Sequence, residues 1–546
     1  MHLSRAATLL LEDRYLLAGE TPADLFVRVA NAVNPEKSRD FLYIMKNRYF
    51  LPNSPTLMNA GTALGQLSAC FVLPIQDSLE SIFTTLTHMV LIHRSGGGTG
   101  FSFSHIRPKG DRVSETGGAA SGPLSFLRVF DAATNAVKQG GRRRGANMGV
   151  LASSHPDIEE FINSKRNGDL RNFNLSVSFD AEFFHALRTG MSYGLFNPRD
   201  GEVWQEIDPA ALWKCIGEAA WAAGDPGVLF LDEINRKNTL PGYDFFEATN
   251  PCGEQPLFSY ESCNLGSINL AQFVKKHDID EELLRYAVRT GVEFLDSVID
   301  VTRFPLPEIR EKTLATRKIG LGIMGLADMF ILLDIPYESR EALSIADRIM
   351  EFIQKEAHEM SHELGEWKGS FPAIEKSIFD REMRNAAVTT VAPTGSLHMI
   401  ADTSSGIEPL FSLAYQRKIG RRRIQVIHRL FEEVHRSLGG DPDIMREVYR
   451  TGSIQHLPLP DEVKEVFKTA QEISPEHHVR MQAVIQRHTD NAVSKTVNIP
   501  EEATPADVCS IFELARSLDC KGVTIYRYNS KIEQVLTRGC GVCSIE

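Results

Sequence analysis

The sequence predicts an α/β protein built on a mostly parallel sheet or barrel. Three observations carry that expectation. Short β-forming runs recur along the chain: FNLSVSF (Phe173–Phe179), GVLFLD (Gly227–Asp232), NAAVTTVAP (Asn385–Pro393), SKTVNIP (Ser494–Pro500) and KGVTIYRY (Lys521–Tyr528). Long amphipathic helical patterns lie between them, and strands that alternate with helices imply a parallel arrangement. Finally, no low-complexity linker, internal repeat or long block of like charge divides the 546 residues. By length alone the chain has room for several domains, and one large barrel with additions satisfies that prior equally well.

In chain order, the first fifty residues read as helical, with Glu20-Thr21-Pro22 opening a helix over ADLFVRVANAV. Residues 51–150 are dense in Gly, Ser, Thr and Asn between apolar runs such as IFTTLTHMVLI. Three glycine-rich segments, RSGGGTG (Arg94–Gly100), SETGGAASG (Ser114–Gly122) and QGGRRRGAN (Gln139–Asn147), read as turns. Their amides suit phosphate, but none has the strand–GxGxxG–helix setting of a dinucleotide fold or the GK[ST] ending of a P-loop. IGLGIMGLADMFILLDI, from Ile319, is buried core. In VAPTGSLHMIADTSSG (Val391–Gly406) a strand ending in Pro393-Thr394-Gly395-Ser396 opens a helix, offering hydroxyls and N–H groups to a phosphate. TRGCGVCSIE, at the end, reads as a mobile tail.

A net charge of −12 argues against a mainly electrostatic grip on nucleic acid. The apolar run near the amino terminus is too short for a signal-peptide core or a membrane span. The expectation is a cytoplasmic protein, with no membrane and no nucleic-acid partner, whose eight cysteines are mostly reduced. His358-Glu359-Met360-Ser361-His362 matches the HExxH zinc-hydrolase pattern. At roughly 100° per residue, however, both histidines project away from the apolar stripe through Leu343, Ala346, Met350, Ile353, Ala357, Met360 and Leu364. No third ligand follows, so no metal site is expected.

Among the cysteines, Cys215, Cys509 and Cys520 read as apolar filler. Cys70, at the head of an apolar run, permits the same reading. Cys252 does not, because Pro251 holds Asn250 extended and Gly253 permits a tight turn, displaying a thiol between an amide and a carboxylate. Cys540 and Cys543 form a CxxC suited to thiol exchange or to half of a zinc cluster.

Asn250-Pro251-Cys252-Gly253-Glu254 resembles the active-site finger loop of the ribonucleotide reductases. Asn53-Ser54-Pro55-Thr56, Ser68-Ala69-Cys70-Phe71, SGGGTG, QGGRRRGA, SCNLGSINL and PTGS follow in that family's order across nearly the whole chain. The resemblance implies a ten-stranded α/β barrel of two half-barrels with the finger through its centre. It divides the chain into a helical region (1–50), a catalytic barrel (51–530) and a flexible tail (531–546). It implies a thiyl radical on Cys252, general-base action by Glu254, substrate binding by Asn250, and a redox disulfide between Cys70 and Cys263 that Cys540 and Cys543 re-reduce. Ser54, Ala69, Gly98, Thr394, Gly395 and Ser396 would surround substrate, and Asp77, Arg107, Lys165 and Arg166 a deoxynucleoside triphosphate effector. The paired tyrosines of the metal-dependent class are absent (the nearest candidate is Tyr526-Arg527-Tyr528), and no glycyl-radical loop is evident. CKGVTIYRY and SSGIEPLFSLAYQR resemble the adenosylcobalamin-dependent class instead. That implies adenosylcobalamin as cofactor, ribonucleoside diphosphate substrates, a thioredoxin- or glutaredoxin-like reductant, and a homodimer. The alternatives are the large subunit of a metal-dependent reductase, a non-catalytic nucleotide-binding regulator and, remotely, a zinc hydrolase.

Overall fold

The computed structural model describes residues 3–113, 117–137, 145–166, 168–420, 422–530 and 537–538. The chain opens with helices Arg5–Arg14, Pro22–Val33 and Ser38–Lys46. The expected start of the second is present. Thr21 accepts from Asp24 N, the Asp24 carboxylate reaches back to the Thr21 backbone, and Pro22 occupies the first turn. Leu25, Phe26, Val29, Ala30 and Val33 form its buried stripe.

Ten strands form one sheet among the described residues. They are β1 (Phe50–Pro52), β2 (Cys70–Val72), β3 (Gly98–Ser102), β4 (Asn147–Ala152), β5 (Phe173–Phe179), β6 (Gly227–Phe230), β7 (Ser262–Asn269), β8 (Ile319–Met324), β9 (Thr496–Ile499) and β10 (Gly522–Arg527). From β2 to β6 each strand runs parallel to the next. On the other side β7 is parallel to β8, and β9 to β10. The two groups meet antiparallel at both seams, β7 against β2 and β10 against β6. Between β8 and β9 the circuit closes through single parallel bridges, Leu321 to Thr389 and Val391 to Val493. The result is a barrel of two half-barrels, with β1 added antiparallel along the second half of β7.

Three sequence expectations differ from this arrangement. NAAVTTVAP supplies bridge positions rather than a continuous strand. Val388 N and Thr389 N donate to the buried Asp490 carboxylate at 2.8 and 3.2 Å, so a side chain replaces a ladder partner there. RSGGGTG is not only a turn, because Gly98 already belongs to β3. The tail, expected to be mobile throughout, includes a short strand, Thr537–Arg538, paired antiparallel at Gln416 on the edge of the hairpin strand Ala414–Ile419. That edge was open to pairing, since Arg422–Ile427 covers only the other side.

Helices pack outside both half-barrels over two large apolar clusters. A third cluster fills the interior, where Cys70, Met148, Val150, Leu229 and Cys263 from the strands meet Phe246, Ala248, Leu257 and Phe258 from the segment threaded through the barrel.

Candidate active site

That threaded segment is a finger. Ala248–Thr249 pairs antiparallel with Pro256–Leu257, leaving Asn250 to Gln255 as its tip. Asn250 N donates to Gln255 O at 3.1 Å, and Gln255 N donates to Asn250 Oδ1 at 3.0 Å. Gly253, at φ +82°, closes the turn by donating to Asn250 O at 3.1 Å. The barrel wall makes room for it. A Cβ added at Gly100 would lie 1.7 Å from Thr249 O, and one at Gly98 would lie 2.8 Å from Pro251 Cγ. Asn174 on β5 fixes the far side, its Nδ2 donating to Pro251 O at 2.8 Å. The SGGGTG glycines thus serve passage of the finger, while nothing in the sequence singled out Asn174.

At the tip, Cys252 is exposed, whereas Asn250 and Glu254 are each only 2% exposed. Asn250 Nδ2 donates to Cys70 Sγ at 3.1 Å, and Cys70 Sγ lies 4.0 Å from Glu254 Oε1. Cys70 and Cys263 are directly opposite across the antiparallel β2–β7 seam, both in thiol form. Opposed residues of such a pair have Cα atoms about 4.5–5.5 Å apart, inside the roughly 4.4–6.8 Å that a disulfide spans. Complete burial pushes the Cys263 thiol well above its ordinary pKa; the Glu261 charge adds to the rise and Lys318 opposes it. Lys318 and Glu261 form a buried ion pair at 2.9 Å. The Lys318 ammonium sits 3.9 and 4.4 Å from the ring centres of Phe258 and Phe246. Neither residue of this ion pair was legible as part of the site.

Of the other anticipated residues, Ala69 and Gly98 adjoin this centre: Gly98 N donates to Ala69 O at 2.8 Å, and Gly98 is in register with Cys70. Ser54 begins the short helix Ser54–Asn59, its Oγ 2.8 Å from the Tyr15 hydroxyl, and the preceding Asn53 N donates to Leu265 O on β7 at 2.8 Å. Thr394, Gly395 and Ser396 lead into helix Leu397–Ala401. Thr394 Oγ1 accepts from Gly406 N at 2.9 Å, and Gly395 O accepts from Arg417 Nη2 at 2.9 Å. Behind this loop His398 Nδ1 lies 2.8 Å from Thr394 O, and its pKa is pushed down to about 4 by burial and by Arg417. Asp77 and Arg107 pair with each other at 2.6 Å. Lys165 bonds Asp225 at 3.0 Å and Phe173 O at 2.6 Å, while the exposed Arg166 lies 3.8 Å from Glu218. The effector candidates therefore fall into separate ion pairs. Cys540 and Cys543 lie outside the described residues.

The HExxH histidines have other engagements. His358 Nε2 is 2.9 Å from Asp490, His362 Nδ1 is 2.7 Å from Glu382 O, and Glu359 pairs with Arg381 at 3.2 Å. No group of three or more His, Cys, Asp and Glu side chains suited to a metal ion occurs among the described residues. The tip is open to an approaching group. Cys252 is exposed, and a Cβ added at the adjacent Gly253 meets nothing within 4 Å, so the approach to the thiol is open.

Comparison with known proteins follows the same lines. The family model "Ribonucleotide reductase, all-alpha domain" matches residues 1–65, and "Ribonucleotide reductase, barrel domain" matches 68–383 and 374–526. A vitamin B12-dependent ribonucleoside-diphosphate reductase of Thermoplasma acidophilum is 52% identical over 510 residues, covering 91% of this chain and 66% of that protein. One from Mycobacterium tuberculosis is 48% identical over 560 residues, covering 98% of this chain and 79% of its own length. The chain thus spans just under two thirds of the first relative and about four fifths of the second. Among solved structures, the Actinobacillus ureae class Id ribonucleotide reductase alpha subunit superposes with a TM-score of 0.82 at 24% identity, covering 96% of this chain and 97% of that one. At that identity the likeness speaks for the fold.

Proposed function

Since this chain belongs to the ribonucleotide reductase family, we propose that it reduces ribonucleoside diphosphates to 2′-deoxyribonucleotides with adenosylcobalamin as its radical source. The observation that carries the reading is the convergence of Asn250, Glu254 and the Cys70–Cys263 pair behind an exposed Cys252. The vitamin B12 dependence in the names of the similar reductases supports the choice of cofactor.

The chemistry adenosylcobalamin supplies when bound is one-electron homolysis of its cobalt–carbon bond. Cys252 and Gly253 border the space that it would occupy. As a thiyl, Cys252 takes the 3′ hydrogen atom of the ribose and returns it at the end of the cycle. Glu254, buried beside Cys70, takes the 3′-hydroxyl proton, a task that needs hydrogen-bond reach. Asn250 orients the substrate from the other edge of the tip. The 2′-hydroxyl leaves as water with a proton from the thiol pair. Cys70 and Cys263 together give up two electrons and two protons and close a disulfide across the seam. Ser54, Ala69, Gly98, Thr394, Gly395 and Ser396 bind the substrate and its phosphates.

Further parts of the reading are these. Residues 1–50 form a helical region, 51–530 the catalytic barrel and 531–546 the tail. A thioredoxin- or glutaredoxin-like protein restores the dithiol through Cys540 and Cys543. A deoxynucleoside triphosphate acts near Asp77, Arg107, Lys165 and Arg166, and the chain works as a homodimer in the cytoplasm. No helix among the described residues is long and apolar enough to cross a membrane.

The test is reduction of cytidine diphosphate by the purified chain with dithiothreitol, with and without adenosylcobalamin. Turnover is expected only with the cofactor. Turnover without it, sustained by an added metal-carrying subunit, would contradict the proposal.

A further inference from the structure

The HExxH segment yields a histidine, His358, linked to the finger through Asp490 and the segments that Asp490 holds. His358, on the outer helix Arg340–Lys368, places Nε2 2.9 Å from both carboxylate oxygens of Asp490. Gln354, one turn earlier, donates to Asp490 Oδ1 at 3.1 Å. The same carboxylate takes Val388 N and Thr389 N, at 2.8 and 3.2 Å. In return Asp490 N donates to Thr389 Oγ1 at 2.9 Å, and Asn491 N donates to Thr389 O at 3.1 Å. Lys521, 2% exposed at the foot of β10, donates to Asp490 O at 2.5 Å and also to Asn491 O. Residues 388–389 and 490–491 are thereby locked to one another.

The next residue of each locked segment touches the finger. Thr390 Oγ1 and Ala492 N both donate to Glu254 O, each at 2.9 Å. Asp490 thus lies two residues before Ala492 and holds Thr389, the neighbour of Thr390, and those two residues carry the donors to the Glu254 carbonyl oxygen.

The electrostatics of the lock are costly as a stability device. Burial opposes charge on Asp490, but the His358 charge and the converging N–H groups outweigh it and hold the carboxyl well below its usual range. Burial likewise pushes the Lys521 amine down to about 7. Buried ionic groups of this kind often do no better than apolar packing for stability, so a positional role accounts for them more readily.

We propose that His358, Asp490 and Lys521 form a clamp that positions Glu254 within the finger, making His358 a positioning residue of the reaction although it lies on the outer helix. The inference rests on the reading of Glu254 as the base. Small displacements of a reacting group cost rate rather than substrate binding. The test uses the full chain with adenosylcobalamin, cytidine diphosphate and dithiothreitol. His358→Leu, which removes the donor to Asp490, is expected to lower kcat about tenfold with KM within about twofold. His358→Gln, which keeps an N–H donor, is expected to recover kcat to within about threefold of the parent. Should His358→Leu fail to fold, Asp490→Asn is read the same way, for it keeps the shape and discards the charge. Parental kcat in His358→Leu, or equal losses in the Leu and Gln variants, would overturn the clamp. Glu254→Gln is the separate control: parental kcat there would defeat the role of Glu254 itself, whereas an inactive Glu254→Gln beside a fully active His358→Leu would defeat only the clamp.

Discussion

Two thiol sites share the interior of this barrel under opposite conditions. Cys252 rides on a turn, exposed at the tip of a two-stranded finger, with Gly253 leaving open space beside it. Cys70 and Cys263, 3% and 0% exposed, face each other across a ladder between the two half-barrels. Under the proposed function, exposure suits a sulfur that exchanges a hydrogen atom with an incoming group, and burial suits a pair that closes on itself once per cycle and resists stray oxidants. The contrast teaches that thiols eleven residues apart in sequence need not be partners, since the pairing is set by strand register.

The comparison can be pressed first at the buried end. Lys318 and Glu261 lie beneath the couple as a fully buried ion pair, and burial lowers the Lys318 pKa against the pull of Glu261. Lys318→Met strands a carboxylate in the apolar interior. It is expected to cost roughly 3–5 kcal/mol of unfolding free energy in urea titration. Alkylation of Cys252 should be unchanged in the folded variant. A loss below about 1 kcal/mol would mean that the pair is hydrated and the couple less enclosed than described.

A smaller effect concerns reactivity. Iodoacetamide at pH 8 is expected to modify Cys252 at least about tenfold faster than Cys263, followed by peptide mapping. Burial raises the Cys263 pKa, so its thiolate fraction, and hence its alkylation, should grow only as pH climbs further. Equal rates at pH 8 would break the contrast.

Much of the fold was legible because its strands are short and strongly β-forming. FNLSVSF coincides with β5, and KGVTIYRY contains β10. Glycine obscured the rest. SCNLGSIN reads from the sequence only as a family motif and IGLGIM as buried core, yet both are strands, and their Gly266 and Gly322 are there for close approach. A Cβ at the first would lie 2.2 Å from Phe50 Cε2, and at the second 2.2 Å from Thr390 O. At the site, Asn250, Cys252 and Glu254 stood out because they fall within one run of five residues. The couple was reachable only through family resemblance, as no local pattern encodes a register between residues 70 and 263. Lys318, Asn174 and Asp490 left no trace in the sequence, because their roles depend on what the fold brings against them.

The central claim is that Cys252 starts a reaction whose electrons come from Cys70 and Cys263. It is tested most directly by a single turnover of pre-reduced chain with adenosylcobalamin and cytidine diphosphate, in the absence of external reductant. Carrying Cys540→Ser and Cys543→Ser in that chain traps the disulfide where it forms. The account predicts a Cys70–Cys263 disulfide appearing in step with deoxycytidine diphosphate, and neither when Cys252→Ser is added. Product formed without that disulfide, or formed by the Cys252→Ser chain, would contradict it.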